Sequence, residues 1–226
     1  MARKINKAEH QAKRNKILDV TYQLIMTKGF GQMSVQNILD ELDISRGAFF
    51  HYFRSKDDLL EPLIERMLDH IEQQVVPVVK SERSAVNKLQ AFFNIVNETK
   101  TDQRQLFLQL IEVWYSDDNV LVRQKVRIQK IKRFEPLLRQ VIVQGIEENS
   151  ITGIKTEHTA EVVLCLLLDL SDAFASFLLT RKDDSLDLET KVFAYTQAIE
   201  RIVGLPAHSL CLMDNETIQM WGEKEV

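Results

Sequence analysis

Two short helical patterns with almost nothing between them constrain this chain more than any other feature. Residues 34–42 read SVQNILDEL, with Val35, Ile38, Leu39 and Leu42 at helical spacing and so on one face. Only Asp43 and Ile44 separate that face from the run ISRGAFFHYFRSK at 44–56, in which Phe49 and Phe53 are four apart and share a second apolar face. Ser34 and Ser45 each stand just before a helical pattern, where a hydroxyl can accept from the orphan N–H groups of the first turn. Two short helices joined by so tight a turn make a helix-turn-helix, a motif placed here at 34–53, whose second helix can enter a major groove. The surface of that second helix left over by Phe49 and Phe53 presents Arg46, Gly47, Ala48, Phe50, His51 and Tyr52.

Charge is distributed to match. The net formal charge is −4, yet residues 1–56 carry ten Lys/Arg against five Asp/Glu, and the remainder nineteen against twenty-eight. A basic head on an acidic body puts the phosphate-seeking charge at the N-terminus. Arg3, Lys4, Lys7, Lys13, Arg14 and Lys16 form either a solvated basic stretch that strengthens binding nonspecifically or an arm for the minor groove.

The rest of the sequence reads as helix. The first helix is expected over 9–28, with Ile17, Thr21, Leu24 and Ile25 inward, Gly29 as a left-handed stop and Phe30 folding back into the core. Ser55 caps a helix that starts with Asp57 and Asp58 and runs to Pro77, with a kink expected at Pro62. Further helices are expected over 83–100, 102–114, 119–148 (bent or divided at Pro136), 157–182 and 186–203, and a short one near 215–221. No segment shows period-two alternation, and there are no repeats. With 45% hydrophobic residues and only 7 Gly and 4 Pro, the fold class is all-α. The expected domains are 1–56, a three-helix helix-turn-helix DNA-binding domain, and 57–226, a helical ligand-binding and dimerisation domain.

The segments ILDVTYQLIMTKGF, SVQNILDELDIS and RGAFFHYFRSKDDLL together resemble the N-terminal domain of the TetR family of bacterial transcriptional regulators. Matching residues run almost continuously from 17 to 60, and the His-Tyr-Phe-x-Ser-Lys run at 51–56 is the most specific part. Beyond it the chain matches only in layout. The resemblance implies a DNA-facing set of Ser34, Gln36, Ser45, Arg46, Gly47, Ala48, His51, Tyr52 and Lys56. Ser34, Gln36 and Lys56 would hold phosphates and set position without reading sequence. Arg46 can make a bidentate contact to guanine or clamp a phosphate. Gly47 lets the helix approach closely, the Tyr52 hydroxyl reaches a phosphate, and His51 reaches a phosphate or a base edge. Ala48 stands where the family has threonine and can meet a thymine methyl. Phe50 stands in place of a tyrosine, which removes one phosphate hydrogen bond. Asp43 replaces the turn glycine and is read as structural, since aspartate tolerates the left-handed region.

The segment 157–182 is apolar nearly all round, so one side needs a partner beyond its own subunit. With Val192, Phe193, Tyr195, Ile199 and Ile202 of the following helix it suggests a four-helix homodimer interface. Asp169 and Asp172 lie on a narrow polar seam and face either a pocket or the solvent and interface rim. Phe107, Trp114, Arg139, Gln140, Gln144 and Phe174 are the other candidates for lining an effector site.

No catalytic, cofactor or metal pattern stands out. His10, His51, His70, His158 and His208 are scattered, and no glycine-rich phosphate loop or nucleophile elbow occurs. Cys165 and Cys211 lack metal spacing and fit a reducing cytoplasm. The N-terminus has no signal-peptide core, and the apolar stretch 162–179 is short and interrupted by its two acids, so no membrane span is expected. The expectation is a cytoplasmic, homodimeric regulator bound to a pseudo-palindromic double-stranded operator, a repressor released by a small apolar or amphipathic effector. The competing expectation is a DNA-bound interaction protein whose C-terminal domain recruits a protein partner.

Overall fold

The structure is a computed structural model that describes residues 7–97, 104–153, 156–180 and 185–222. The described residues form ten α-helices and no strand: α1 (Lys7–Lys28), α2 (Val35–Leu42), α3 (Arg46–Phe50), α4 (Leu60–Val79), α5 (Ala85–Asn97), α6 (Arg104–Tyr115), α7 (Val120–Glu147), α8 (Thr159–Thr180), α9 (Ser185–Val203) and α10 (Asn215–Gly222). Arg3 and Lys4 of the basic N-terminus, and the expected helix ends at Lys100, Asp102 and Lys182, lie outside the described residues.

The chain divides into two compact units. The first is larger than the stretch 1–56, for it reaches Met67 and also takes in Gln105–Val126. Within it α1 buries Ile17, Leu18, Thr21, Leu24 and Ile25, so the face read from the sequence is the packed one. Thr21 is accommodated because its hydroxyl donates to the carbonyl of Ile17 at 2.7 Å. Gly29 stops α1 with φ +81°, and Phe30, Met33, Ile38, Leu39, Phe49 and Phe53 complete the apolar centre. Each such large side chain taken from water stabilises the unit by about 1.5–3 kcal/mol.

The second unit comprises Leu68–Arg104 and the residues from Arg127 on. Here α8 packs on α9, and α9 on α10. Leu164, Leu167, Leu168 and Phe174 are buried, and Phe174 meets the ring of Trp221 edge-on at 5.9 Å. Lys88 is buried too, but its ammonium donates to the carbonyl of Val79 (2.8 Å) and to Oε1 of Gln144 (2.7 Å). The turn between α7 and α8 meets the end of α9 backbone to backbone: the N–H of Gly153 donates to the carbonyl of Val203, and Thr152 Oγ1 donates to the carbonyl of Gly204.

Both prolines expected to distort helices lie within unbroken helices. A 3-10 turn at Asp57–Leu59 precedes α4, so Pro62 falls in the first turn of the helix, where its missing N–H is one the helix leaves orphaned anyway. Pro136 sits inside α7 without dividing it. The proline is exposed, so water can satisfy the carbonyl of Lys132 that it cannot serve.

Helix α8 also departs from its sequence reading. At 22 residues it is, among the described residues, the one helix long and apolar enough to cross a bilayer. Half of that apolar window is buried against its own chain, as in the core helix of a packed domain. Val162 and Leu179 on α8 and Phe193 on α9 remain exposed, Phe193 by 50%.

Candidate nucleic-acid interface

The helix-turn-helix is built by its caps. Ser34 adopts an extended backbone and accepts from the N–H of Asn37, while Asn37 Oδ1 accepts in return from the N–H of Ser34 at 3.0 Å. This reciprocal capping box satisfies two orphan donors at the start of α2. Asp43 closes α2 in the left-handed region (φ 48°), with its N–H bonded to the carbonyl of Leu39. The turn needs a positive φ, and aspartate supplies it where glycine would be the easier choice. Ser45 then caps α3 by accepting from the N–H of Ala48 at 3.2 Å. Helical hydrogen bonding runs past α3, since Tyr52 and Phe53 both donate to the carbonyl of Phe49.

Burial sorts the residues of this segment into two faces. Phe49 and Phe53 point inward, whereas Ser45, Arg46, Gly47, Phe50 and His51 are exposed and Ala48 and Tyr52 half-buried. Ser34 and Gln36 are exposed at the start of α2. The Arg46 guanidinium lies over the ring of Phe50, 5.6 Å from its centroid. Stacking of this kind holds an arginine fork extended and ready to donate. A Cβ added at Gly47 would meet nothing closer than Ser45 Oγ at 4.0 Å, and its φ is not positive. The fold itself makes no demand for a glycine here.

Two features were not visible in the sequence. His10 of α1 stacks near Tyr52 (ring centroids 4.6 Å) and His51 (5.4 Å), so α1 supports the end of the recognition segment. Arg14 likewise lies over the ring of Phe53. Only the fold brings these side chains together, as they are some forty positions apart. Lys56, expected to hold phosphate, has its ammonium turned inward: it donates to the carbonyls of Phe30 and Met33, each at 2.9 Å, and more distantly to Gly31.

The candidate effector residues differ in their surroundings. Trp114 is in the first unit, and its carbonyl accepts from Arg123. Arg139 and Gln140 are exposed, with Arg139 bonded to Glu135. Gln144 is engaged by Lys88, Glu148 and the carbonyl of Arg83. Phe174 is core, and the side chain of Phe107 lies outside the described residues. Asp169 and Asp172 are exposed, and Arg127 of α7 bonds to both, at 2.7 and 3.4 Å. Burial pushes the Lys130 ammonium below its ordinary pKa, with the charge of Asp172 opposing the shift. Cations of this chain thus already face the two acids.

An all-helical chain whose capped two-helix motif exposes an arginine, a glycine and a histidine on one surface is a helix-turn-helix protein. Residues 17–63 match the model of bacterial regulatory proteins of the tetR family. The chain is 25% identical over 109 residues to the HTH-type transcriptional regulator PksA of Bacillus subtilis, an alignment covering 48% of this chain and 51% of PksA. It is 29% identical over 77 residues to the HTH-type transcriptional repressor NemR of Escherichia coli, covering 34% of this chain and 39% of NemR. The matched region thus spans about half or less of each relative's own length. A crystal structure of reduced E. coli NemR superposes with a TM-score of 0.56 at 24% identity, over 86% of this chain and 99% of that one, which shows a common fold. Residues 17–63 thus form a helix-turn-helix of the tetR-family kind, and the chain is similar to DNA-binding transcription regulators of that family.

Proposed function

We propose that this protein is a cytoplasmic homodimeric repressor that binds a pseudo-palindromic duplex operator and leaves it when a small apolar or amphipathic effector binds the C-terminal part of the chain. The observation that carries the DNA reading is the exposed start of α3, where Ser45, Arg46 and Gly47 stand clear of the protein and Gly47 has no internal task. Ser34, Gln36, Ala48, His51 and Tyr52 are the further contacts in this reading. Dimerisation is supported by Val162, Leu179 and Phe193, large apolar side chains left exposed on α8 and α9, which pack on each other. Repression is supported by the name of NemR as a transcriptional repressor. An apolar or amphipathic effector is supported by Arg127: a cationic ligand at Asp169 and Asp172 would have to displace a guanidinium, whereas an apolar or amphipathic one would not. Release by such a ligand requires that it bind the DNA-incompetent arrangement more tightly than the competent one.

Selection of duplexes from a random library by the full-length protein tests this reading, together with sedimentation equilibrium. The expected results are enrichment of an inverted repeat, with half-sites about one or two helical turns apart, and a mass twice the 26.2 kDa of the chain. Enrichment of no sequence, or a monomer at micromolar concentration, would overturn it.

A further inference from the structure

The turn after α1 is gripped from two directions through one residue. Asn119, at the junction of α6 and α7, is fully buried (0% exposed) and has each polar atom of its amide engaged. Its Oδ1 accepts from the N–H of Phe30 at 2.8 Å, and its Nδ2 donates to the carbonyl of Val113 at 2.9 Å and, more weakly, to that of Ile25 at 3.3 Å. One side chain therefore joins the end of α1, the turn beyond it and the end of α6. The neighbouring Asp118 reinforces the joint: its carbonyl accepts from the N–H of Gly31 (2.8 Å) and its carboxylate from Gln32 (2.6 Å). The approach is close enough that a Cβ at Gly31 would lie 2.5 Å from Asp118 Oδ1. On the α6 side, Arg123 donates to the carbonyls of Trp114 and Ser116 and so fixes the helix end that Asn119 holds.

The second grip comes from just beyond the recognition segment. Lys56 donates to the carbonyl of the same Phe30 and lies 4.4 Å from the centroid of its ring. Phe30 is thus held by its N–H from the α6–α7 junction and by its C=O and ring from the residue that follows the recognition segment. A buried polar group deprived of its partner incurs the full cost of desolvation, so neither grip can loosen without the turn moving.

We propose that Asn119 and Lys56 are positioning residues forming a mechanical link through Phe30, so that a displacement of the α6–α7 junction is passed to the recognition segment. The link rests on the DNA-binding reading for its biological meaning, but not for its existence. Lys56 in this role is not a phosphate ligand, although the charge at this position invites that assignment. Backbone amides of 44–56 then owe part of their protection to a side chain more than sixty residues away, and those of 105–126 owe part of theirs to Lys56.

Hydrogen exchange of the full-length protein, without DNA, tests the link in both directions. Asn119→Asp keeps an acceptor for Phe30 but removes both donated bonds; Lys56→Met keeps the stem on the Phe30 ring and removes the ammonium. In variants whose circular dichroism shows native helix content, Asn119→Asp is expected to accelerate exchange about tenfold or more in 25–33 and also in 44–56. Lys56→Met is expected to accelerate it in 105–126 as well as in 25–33. The two together should do little more than the larger alone, because each opens the same joint. Acceleration confined to 25–33 in either variant, or effects that multiply in the double variant, would overturn the link. On a duplex enriched by the wild-type protein, Lys56→Met should weaken binding without changing the slope of log affinity against log salt. A slope smaller by about one would make Lys56 a phosphate contact and refute its positioning role. If the wild type enriches no duplex, the DNA-binding reading fails, while the exchange results still decide the link.

Discussion

Replacing Gly47 by alanine should make the protein more stable and a poorer DNA binder at once. The added Cβ has no neighbour within its own chain nearer than 4.0 Å, and the backbone there is not in the left-handed region. The residue lies in a hydrogen-bonded turn, since its carbonyl accepts from the N–H of His51 at 3.1 Å. Alanine in a helix is favoured over glycine by about 0.5–1 kcal/mol through the lower entropy of its unfolded chain. In a chain of this size that corresponds to a rise in Tm of about 1–4 °C. Against DNA the same methyl group occupies the space through which the helix would approach, and overpacking a close contact costs about 1–3 kcal/mol. Affinity should then fall by a factor between about 5 and 150. Thermal melting and a binding titration on an enriched duplex read the two effects separately. A lowered Tm would mean that the glycine serves the fold after all. Unchanged affinity together with a raised Tm would remove Gly47 from the interface and with it the argument for how α3 approaches DNA.

Arg46→Ala should cost about 1–3 kcal/mol on the preferred duplex and much less on one altered at the base it reads; equal losses on every sequence would make it a phosphate clamp. Gly153→Ala should destabilise the second unit by about 2 kcal/mol or more in chemical denaturation, because its Cβ would sit 2.2 Å from the carbonyl oxygen of Ile202; a change below about 0.5 kcal/mol would refute that reading. Acid should weaken the fold through three carboxylates held below their ordinary pKa: Asp58 by the side chain of Arg54, Glu148 by the N–H of Ala85 and Asp214 by the N–H of Thr217. Each is more acidic folded than unfolded, so its contribution is complete above the unfolded value of about 4 and is lost as pH falls through the folded one. The stability gap between wild type and Glu148→Gln should therefore close as pH is lowered past about 4, and a gap that is the same at pH 3 and pH 6 would contradict the assignment.

What the sequence disclosed and what it concealed divide along the range of the interactions. The helix-turn-helix was legible because its determinants are local: apolar residues three and four apart, a serine before each helix, and one residue able to turn left at Asp43. The same locality explains the buried faces of α1 and α2. The place of Pro62 in the first turn of α4 was not legible because the 3-10 turn before α4 moves the helix start, a shift of a few residues that no periodicity records. Lys56 entered the phosphate-holding set with the resemblance, which does not reveal the direction of its ammonium, and the three carbonyls that the ammonium meets lie more than twenty residues earlier. The effector candidates were chosen by residue type with no means of testing proximity, and the fold distributes them among a core contact, an ion-paired seam and solvent. Asn119 left no trace at all, since a buried amide serving partners up to 94 positions away looks in sequence like any loop asparagine.

That the DNA-binding unit is completed by residues 105–126 bears on how the protein is made and how it can be recombined. A chain leaving the ribosome has synthesised the whole helix-turn-helix by residue 53, but the asparagine that secures the turn after α1 emerges only some sixty residues later. Until then the N–H of Phe30 lacks the partner it has in the finished protein, so the nascent head is a looser body than the mature one. The same holds for fragments and chimaeras. A graft that transfers 1–67 alone carries the recognition surface but not its fastening, and heads exchanged between relatives should travel with the matching α6–α7 junction.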